Sequence, residues 1–552
     1  MRPVPARAAL LGALFAALVT LPGLGAGTLW DNSETAYGEV AREVLRTHDW
    51  LVMHLNGRPW FVQPPLYFWI AAAIAHVLGV GTFALRLPSA LATIAMGGAI
   101  GYATARIAGE RAGMIAAIVL STSLMQAIVG RLAIMDALLD FAVAAAVLWW
   151  YRAFEPSGTA RRRNTALVCG AIALAVGTLA KGPVAPVVGV LVIAPWLLWE
   201  SRAGRIALPH RAAFALAAAL YVAVAAPWFA ALALRVGPGA VGELIGHYTI
   251  GRYTGVIENQ RGPSWYYVPV LILGFFPWIA FVPAALAAAL REARAADGAF
   301  ARFALCWAAV PFIFFSFAST KLPNYIALML PALAILVGLW FERVRAGAER
   351  RASLVSAATI PVFIGAVAFA IGAFARTNRL DLDLAVLGPQ LAFLGAAMLA
   401  GSLLTVAALA RRASAPASPY VLALTNGALV LFIALIGEPA AEPLKPIPPL
   451  ARTIDANRAV GDVVAVRDVS GGNALVFYTA PPVRNIVDGE QIRDTMCSAP
   501  AAWIVTRPEQ TRELLAFAAA VHRSAAVIET APRAHARAAL IHVGGAPCRR
   551  SL

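Results

Sequence analysis

The stretch AALLGALFAALVTLPGL, residues 8–24, is the first in a long series of apolar runs that decides the fold class of this chain. Arg2 and Arg7 precede it, as basic residues do in a secretory signal, but the chain stays hydrophobic for hundreds of residues beyond it. We therefore interpret this run as a first membrane-spanning helix.

The composition of the whole chain supports a membrane protein. Of its 552 residues, 60% are hydrophobic and 13% are charged, and the mean hydropathy is +0.72. No soluble core could absorb that much apolar surface. The net charge of +16 does not indicate a nucleic-acid partner, because the Arg residues fall in short clusters between apolar runs and not along one basic face. Such clusters are typical of membrane topology.

Apolar runs close to the roughly 20 residues that span a bilayer recur along the chain. They lie at about 8–29, 84–107, 110–128, 136–154, 166–180, 183–200, 211–234, 265–290, 301–318, 323–342, 354–376, 387–410 and 419–437. A shorter run at 66–80 would put the N-terminus on the wrong side of the basic loops if it crossed, so we treat it as an interfacial helix. The sequence predicts an α-helical polytopic membrane protein with about 13 transmembrane helices, a cytoplasmic N-terminus and a periplasmic C-terminus.

Two domains are expected, a transmembrane domain at 1–437 and a small periplasmic α/β domain at 438–552. A Pro-rich linker opens the second, and short apolar runs follow it at Val463–Val466, Leu475–Phe477 and Trp503–Val505. This pattern is typical of a small domain of about 100 residues with strands. Two cysteines of the tail could pair there, since the periplasm is oxidising; they are Cys497 and Cys548.

The first predicted periplasmic loop, 30–65, contains the strongest candidates for a catalytic carboxylate. Acidic groups at the membrane are candidate functional residues, because a charged side chain at membrane depth costs free energy. Glu34 falls on the apolar face of a predicted helix, so we predict that it is the catalytic carboxylate, with Asp31 in reserve. Alternatively, Asp31 caps that helix and Glu34 is its capping-box partner. We expect Glu39 and Glu43 to be solvated charges on the helix face.

A second acid, Asp136, opens a predicted span, and Asp140 lies one turn deeper. Carboxylates from distant loops that face one compartment could bind a polar acceptor or accept its proton. Lys181 and Lys321 each lie beside a proline between two apolar spans, where a phosphate is the natural partner of the cation. The cations on the predicted outer side, where few are expected, are Arg58, Arg131, Lys181, Arg252, Arg261 and Lys321. Snorkelling to lipid headgroups is their alternative role.

At these residues the chain resembles the bacterial branch of the protein O-mannosyltransferase superfamily, which has the glycosyltransferase C fold, and especially the lipid A aminoarabinose transferases. The matching segments, which run over most of the membrane region, are 29–43, Pro64-Pro65, the Asp136 loop, Lys181-Gly182, 252–269 and 321–325. The resemblance implies a lipid-linked sugar bound in a cavity at the outer membrane face. It also implies inverting transfer with polyprenyl phosphate as the leaving group and no obligatory metal.

The resemblance also implies roles for single residues. Asp136 would be the second-loop acid, and Tyr37 and Tyr325 would line the site. The carrier phosphate or the acceptor would be faced by Lys181, Arg252 and Lys321.

Two departures from the family pattern matter. The Asp-Glu pair of the first loop is Ser33-Glu34 here, and the Glu-Lys-Pro before the interfacial helix is Val62-Gln63-Pro64, which removes a cation. Both changes argue against assuming lipid A and aminoarabinose as the substrate pair, although lipid A modification remains the type of activity that the family suggests. Gln63 stays a candidate substrate-binding residue.

The sequence thus predicts a polyprenyl-phosphate-sugar-dependent glycosyltransferase of the bacterial inner membrane, with its C-terminal domain in the periplasm. Its partners would be the donor, membrane lipids and a lipid, glycan or protein acceptor. We find no metal-ligand spacing and no Gly-rich phosphate loop, so no cofactor or metal is predicted. One alternative is a lipid-linked glycan transporter or flippase, although the charges gather at one face. A catalytically degenerate binding protein is another, since Ser33 and Gln63 depart from the family.

Overall fold

The computed structural model describes residues 5–30, 32–376, 384–411, 413–469, 472–479, 482–531, 538–546 and 548. Its α-helices, in chain order, are α1 Pro5–Thr20, α2 Ser33–Thr47, α3 Leu66–Leu78, α4 Thr82–Ala108, α5 Glu110–Thr122, α6 Leu124–Val129, α7 Asp136–Phe154, α8 Ala160–Lys181, α9 Val184–Arg202, α10 Arg211–Val236, α11 Pro238–Gly242, α12 Arg252–Thr254, α13 Tyr267–Gly274, α14 Val282–Glu292, α15 Ala299–Phe317, α16 Leu330–Arg345, α17 Arg350–Arg376, α18 Leu384–Ala410, α19 Ser418–Phe432, α20 Glu438–Ala441, α21 Ile447–Asn457, α22 Gly472–Thr479, α23 Gly489–Cys497 and α24 Thr511–Ala520. The strands are β1 His54–Leu55, β2 Arg58–Pro59, β3 Val463–Arg467, β4 Val483–Asn485, β5 Ala502–Thr506, β6 Ser524–Ala531 and β7 Ala538–Gly544. A π-helix at Glu243–Gly251 and a 3-10 helix at Pro323–Met329 also help to form the cavity described below.

Within these described residues, 10 helices are long and apolar enough to cross a membrane, or up to 11 if one bent pair counts as a span. The bent pair is α13 with the segment 278–292, which meet at 108°. The predicted span at 8–29 is the short helix α1, and the one at 110–128 is broken at Ser123 into α5 and α6. The polytopic helical fold is therefore confirmed, while the count of about 13 spans stays a prediction.

Helices α1, α4 and α5 pack closely because glycines remove side chains at their contacts. A Cβ atom on Gly101 would lie 2.6 Å from the Ala8 carbonyl oxygen, and one on Gly113 would lie 2.4 Å from the Gly101 carbonyl oxygen. Small residues allow such backbone approach between membrane helices, where dispersion contacts supply much of the association energy.

The C-terminal region contains a five-stranded mixed sheet with the order β4-β3-β5-β7-β6. Strand β3 is parallel to β4 and β5, while β7 is antiparallel to β5 and β6. Alternate strand residues pack on α21 and α22 on one face and on α23 and α24 on the other. The predicted strands at Val463–Val466 and Trp503–Val505 are thus present, whereas the run Leu475–Phe477 lies in α22. The sheet domain itself is confirmed, and Cys497 is bonded to Cys548 with a Cα–Cα distance of 4.8 Å.

Helix α2 of the first loop is packed against α22 of this C-terminal domain. Arg42 donates hydrogen bonds to the carbonyl oxygens of Val476 and Phe477 at 3.2 and 2.8 Å. Glu39 and Glu43 are buried, so their predicted solvation was wrong. Sequence periodicity within α2 could not reveal that a helix more than 400 residues away covers its polar face.

Candidate functional site

A cavity of about 1260 Å³ lies between the first loop, α6, α7, the α8–α9 turn, the π-helix region and the turn after α15. This volume exceeds the 300–1,000 Å³ typical of a site for one drug-sized ligand. Seven of the predicted site residues line it, namely Glu34, Tyr37, Gln63, Asp136, Lys181, Arg252 and Tyr325. The cavity therefore gathers residues that are separated by almost 300 positions in the chain.

Asp136 and Lys181 form an ion pair in the lining of this cavity. Asp136 begins α7, and Lys181 ends α8 because Gly182 adopts a φ of +75°, which stops the helix before Pro183. The Lys181 ammonium is paired with Asp136 Oδ1, which also accepts a hydrogen bond from the Asn324 side chain at 2.5 Å. Lys181 Nζ lies 5.3 Å from the centre of the Tyr325 ring. Both of these hydrogen bonds are made to Oδ1, and neither is made to Oδ2.

Asp140 lies one helical turn below Asp136 on the same face of α7. It is buried and lines the cavity, and its Oδ2 atom has no hydrogen-bond partner among the described residues. This part of the cavity lining thus contains the carboxyl groups of Asp136 and Asp140 and the ammonium group of Lys181.

Arg252 is the second cation of the cavity, and it is held by its own loop. Its guanidinium donates to Gln260 Oε1 at 3.2 Å and to Glu258 Oε2 at 3.1 Å, and Gln260 Nε2 donates to the same Glu258 oxygen at 3.1 Å. Glu258 and Asn259 have left-handed φ angles of 55° and 57°, so the loop turns back sharply toward Arg252. Backbone bonds from Thr320 and Lys321 to the carbonyls of Arg252 and Gln260 fix this loop beside the 3-10 turn.

Tyr37 contributes an aromatic wall. Its ring lies 6.0 Å from Trp60 and 5.9 Å from Phe68, centre to centre, in edge-to-face contacts. Burial raises the pKa of the Tyr37 phenol well above its ordinary value, and the nearby Asp136 carboxylate acts in the same direction. The phenol is therefore a neutral hydrogen-bonding group across the physiological pH range.

Glu34 lines the same cavity, but its two oxygens are fully engaged. Arg86 Nε and Nη2 each donate at 2.9 Å, the Trp30 backbone N–H donates at 2.8 Å, and the Ala133 N–H donates at 2.5 Å. Only 2% of Glu34 is exposed. The carboxylate therefore joins the first loop to α4 and to the loop before α7. Arg86 was missed from the sequence, although a cation within the predicted span 84–107 was a signal for a buried partner.

Four predicted site cations do not line the cavity. The buried cations cap helix ends: Arg131 donates to the Thr20 carbonyl at 2.6 Å after α1, and Lys321 Nζ donates to the Ser316 and Ala318 carbonyls at 2.8 and 2.7 Å after α15. Positive charge is favourable there because the terminal carbonyls of a helix lack partners. Arg58 and Arg261 are exposed.

Asp31, the reserve carboxylate, lies outside the described residues. Helix α2 begins after Asn32, whose side chain makes no capping bond. The described residues also contain no group of three or more His, Cys, Asp and Glu side chains that could hold a metal ion.

Known families match part of the chain. Residues 62–230 match the family model described as dolichyl-phosphate-mannose-protein mannosyltransferase. The undecaprenyl phosphate-alpha-4-amino-4-deoxy-L-arabinose arabinosyl transferase of Erwinia tasmaniensis is 31% identical over 332 residues, which cover 60% of this chain and 59% of that protein. The Serratia proteamaculans protein of the same name is 32% identical over 337 residues, with 60% and 59% covered. The alignments thus span about three fifths of these relatives.

Solved structures match the fold over almost the whole chain. ArnT from Cupriavidus metallidurans bound to undecaprenyl phosphate gives a TM-score of 0.76 at 23% identity, covering 97% of both chains. The archaeal oligosaccharyltransferase AglB from Archaeoglobus fulgidus, in complex with an inhibitory peptide and a dolichol-phosphate, gives 0.54 at 14% identity, covering 93% of this chain and 70% of that one. The glycosyltransferase C fold and the resemblance to aminoarabinose transferases are therefore confirmed.

Proposed function

We propose that this protein transfers a sugar from a polyprenyl-phosphate donor to an acceptor at the periplasmic face of the bacterial inner membrane. The observation that carries the proposal is the amphipathic character of the cavity of about 1260 Å³. One end holds Asp136, Lys181 and Arg252, while apolar residues of α6 and α13 line another part. Ile128 and Leu273 on these helices are 48% and 52% exposed. Such a site suits a phosphate group attached to a long hydrocarbon chain.

The names of the relatives support undecaprenyl phosphate as the carrier. The resemblance supports inversion at the sugar carbon. In the proposed step, the bond from the sugar C1 to the carrier phosphate oxygen breaks, and a bond from C1 to an acceptor oxygen forms. The electron pair of the broken bond leaves with the phosphate. Arg252 and Lys181 would stabilise this charge, because fixed cations in a partly dry site act strongly on developing charge.

Asp136 is the base that the geometry favours for a hydroxyl acceptor. Its Oδ1 is held by Lys181 and Asn324, and Oδ2 is left to receive the proton. Protonation of Asp136 would weaken its pairing with Lys181, so the ammonium charge would become available as the phosphate leaves. Glu34 was predicted as this base from the sequence, but its four donors support an anchoring role.

The periplasmic location of the cavity and of a C-terminal domain at 438–552, with the membrane domain at 1–437, is part of this proposal. The bond between Cys497 and Cys548 supports it, since disulfides persist in oxidising compartments. The first loop, 30–65, contacts this domain at Asn56, whose side-chain amide exchanges two hydrogen bonds with the Val483 backbone. The loop and the domain are therefore expected on one side of the membrane.

The test combines binding and turnover in the purified full chain. Asp136→Asn should lower turnover by about 10²–10⁴-fold, the typical contribution of a general base. Arg252→Ala should weaken the binding of undecaprenyl phosphate. Asp455→Asn is the matched control, since this acid is partly exposed in the C-terminal domain and pairs with Arg458.

Donor and acceptor would be identified by mass spectrometry of glycolipids and glycoproteins from a deletion strain, with the purified enzyme added back. Full turnover by Asp136→Asn would show that the acceptor is already anionic and needs no base. A wild-type chain that does not bind undecaprenyl phosphate would contradict the proposed function itself.

A further inference from the structure

We propose that Asp140 contacts the donor sugar, and that its carboxyl group forms a hydrogen bond with a hydroxyl of the sugar ring. This inference rests on the proposed function and adds a substrate-binding residue to the same cavity. Asp140 lies on α7 four residues after Asp136, inside the predicted span 136–154.

Asp140 differs from the other acids of the cavity in its hydrogen bonds. Within the described residues, four acids line the cavity. Asp136 and Glu258 are each paired with a cation of the lining, and Glu34 accepts hydrogen bonds from four donors. Asp140 is only 2% exposed, yet its Oδ2 atom has no partner in the described part of the chain. Buried polar atoms without a partner are rare in native proteins, so a ligand of the cavity is the natural partner.

The position of Asp140 on α7 gives its carboxyl group no structural task. The helix begins at Asp136, so Asp140 lies in the second turn and cannot cap the free N–H groups at the helix start. The Lys181 ammonium, the cation of this part of the lining, is paired with Asp136. An acid inside an apolar span without a partner of its own is a candidate functional residue.

The two parts of the cavity define how the donor lies in it. The hydrocarbon chain of the carrier must reach the bilayer, and the lining residues of α6 and α13 include the half-exposed Ile128 and Leu273. The chain therefore leaves the cavity past these two helices. The phosphate lies at the cations of the polar end, and the sugar is attached to another oxygen of this phosphate. The sugar accordingly lies on the buried side, where Asp136 and Asp140 line the cavity.

Asp140 is within reach of the sugar ring when the ring is placed for reaction. The acceptor oxygen gives its proton to Asp136, so the sugar C1 atom must lie beside that carboxylate. Asp140 follows on the same helix face, about 6 Å further along the axis. This separation matches the size of one sugar ring. A carboxyl group accepts a hydrogen bond from a hydroxyl, and donates one when it is protonated. Asp136 would thus act on the acceptor while Asp140 orients the sugar.

The experiment compares three ligands that bind the full chain in nanodiscs. They are undecaprenyl phosphate, undecaprenyl phosphate glucose and undecaprenyl phosphate 4-amino-4-deoxy-L-arabinose. At least one of the two sugar-carrying probes should bind the wild type more tightly than undecaprenyl phosphate does. Asp140→Leu should weaken the binding of that probe by about three- to tenfold, the loss expected for one hydrogen bond, while undecaprenyl phosphate binding stays within about twofold. Asp140→Asn keeps a hydrogen-bonding side chain and should retain part of the lost affinity.

Thermal unfolding separates this role from a structural one. Asp140→Leu should unfold at the same temperature as the wild type or at a higher one, because it removes a buried carboxyl group without a partner. Thr104→Val is the matched control. Thr104 Oγ1 on α4 is also buried without a partner among the described residues, but Thr104 does not line the cavity. This control should leave the binding of all three ligands unchanged.

Four outcomes would overturn the inference. They are unchanged probe binding by Asp140→Leu, an equal loss for probe and undecaprenyl phosphate, a wild-type chain that binds neither probe more tightly than undecaprenyl phosphate, and a lower unfolding temperature for both Asp140 variants. Failure of the proposed function is distinguishable, since the wild-type chain would then not bind undecaprenyl phosphate.

Discussion

Replacing Glu258 by glutamine should strengthen the binding of the carrier phosphate, which is the opposite of what most changes in a binding cavity do. In the free protein the Arg252 guanidinium donates a hydrogen bond to the Glu258 carboxylate at 3.1 Å, and the Gln260 amide is hydrogen-bonded to both side chains. A phosphate that binds Arg252 must therefore replace or share this carboxylate. Glutamine keeps the size and the polar character of the side chain but removes its negative charge.

The size of the expected gain in phosphate affinity follows from the solvent exposure of the Glu258–Arg252 ion pair. The Glu258 side chain is 52% exposed and that of Arg252 is 14% exposed. Ion pairs with an exposed partner typically contribute about 0.2–1 kcal/mol. Because 1.4 kcal/mol corresponds to a tenfold change in Kd, the affinity for undecaprenyl phosphate should rise by up to about fivefold.

The assay is a titration of undecaprenyl phosphate into the full chain at low and at high salt. The difference between Glu258→Gln and the wild type should shrink as salt increases, since exposed charges are screened. Arg252→Ala should weaken binding in the same assay, and Glu513→Gln is a control with a similarly exposed acid paired to Arg467. Weaker phosphate binding by a normally folded Glu258→Gln variant would refute the reasoning, because it would mean that Glu258 supports the bound ligand.

Two further predictions concern buried acids of α2. Glu34→Gln should lower the free energy of unfolding by about 1–3 kcal/mol, because Arg86 would lose the charge of one of its two carboxylate partners and keep Glu438 at 2.8 Å; thermal unfolding would measure this, and normal stability with lost turnover would return Glu34 to the role of base. Burial raises the pKa of Glu39 to about 7, against the opposing effect of Arg42, from an ordinary value of 4.5. The native state therefore holds this proton more tightly than the unfolded state, and stability falls as pH rises from about 4.5 to 7. Glu39→Gln should accordingly be more thermostable than the wild type at pH 8, with the advantage lost near pH 4.5; an equal difference at both pH values would contradict this.

The sequence predicted the membrane fold and several polar residues of the cavity lining for the same physical reason. Charges cannot lie in apolar spans without a role, so Asp136 and Lys181 were conspicuous at the ends of such runs, and Arg252 was one of the cations on the predicted outer side, where few are expected. Gly182 and Pro183 marked the turn that presents Lys181. These signals are local, and the structure brings the three residues to one cavity.

The remaining features depend on contacts between distant segments. The pairing of Glu34 with Arg86 joins a loop to a helix 52 residues further along the chain. Lys321 could be recognised as a cation at the outer side, but only the fold shows that its ammonium caps the carbonyls at the end of α15. Likewise, no pattern within the first loop indicates that the C-terminal domain contributes Asn473 to the cavity lining.

The two cations of the cavity differ in how firmly each is neutralised, and this difference suggests an order of events. Lys181 and Asp136 form a pair whose side chains are 15% and 8% exposed, with Asn324 as a further donor. The partner of Arg252 is more than half exposed, on a loop with left-handed backbone at Glu258. Separating the first pair would leave a buried charge uncompensated, whereas separating the second returns Glu258 to water. We therefore expect the carrier phosphate to bind Arg252 first, and Lys181 to engage it only when Asp136 takes up the acceptor's proton.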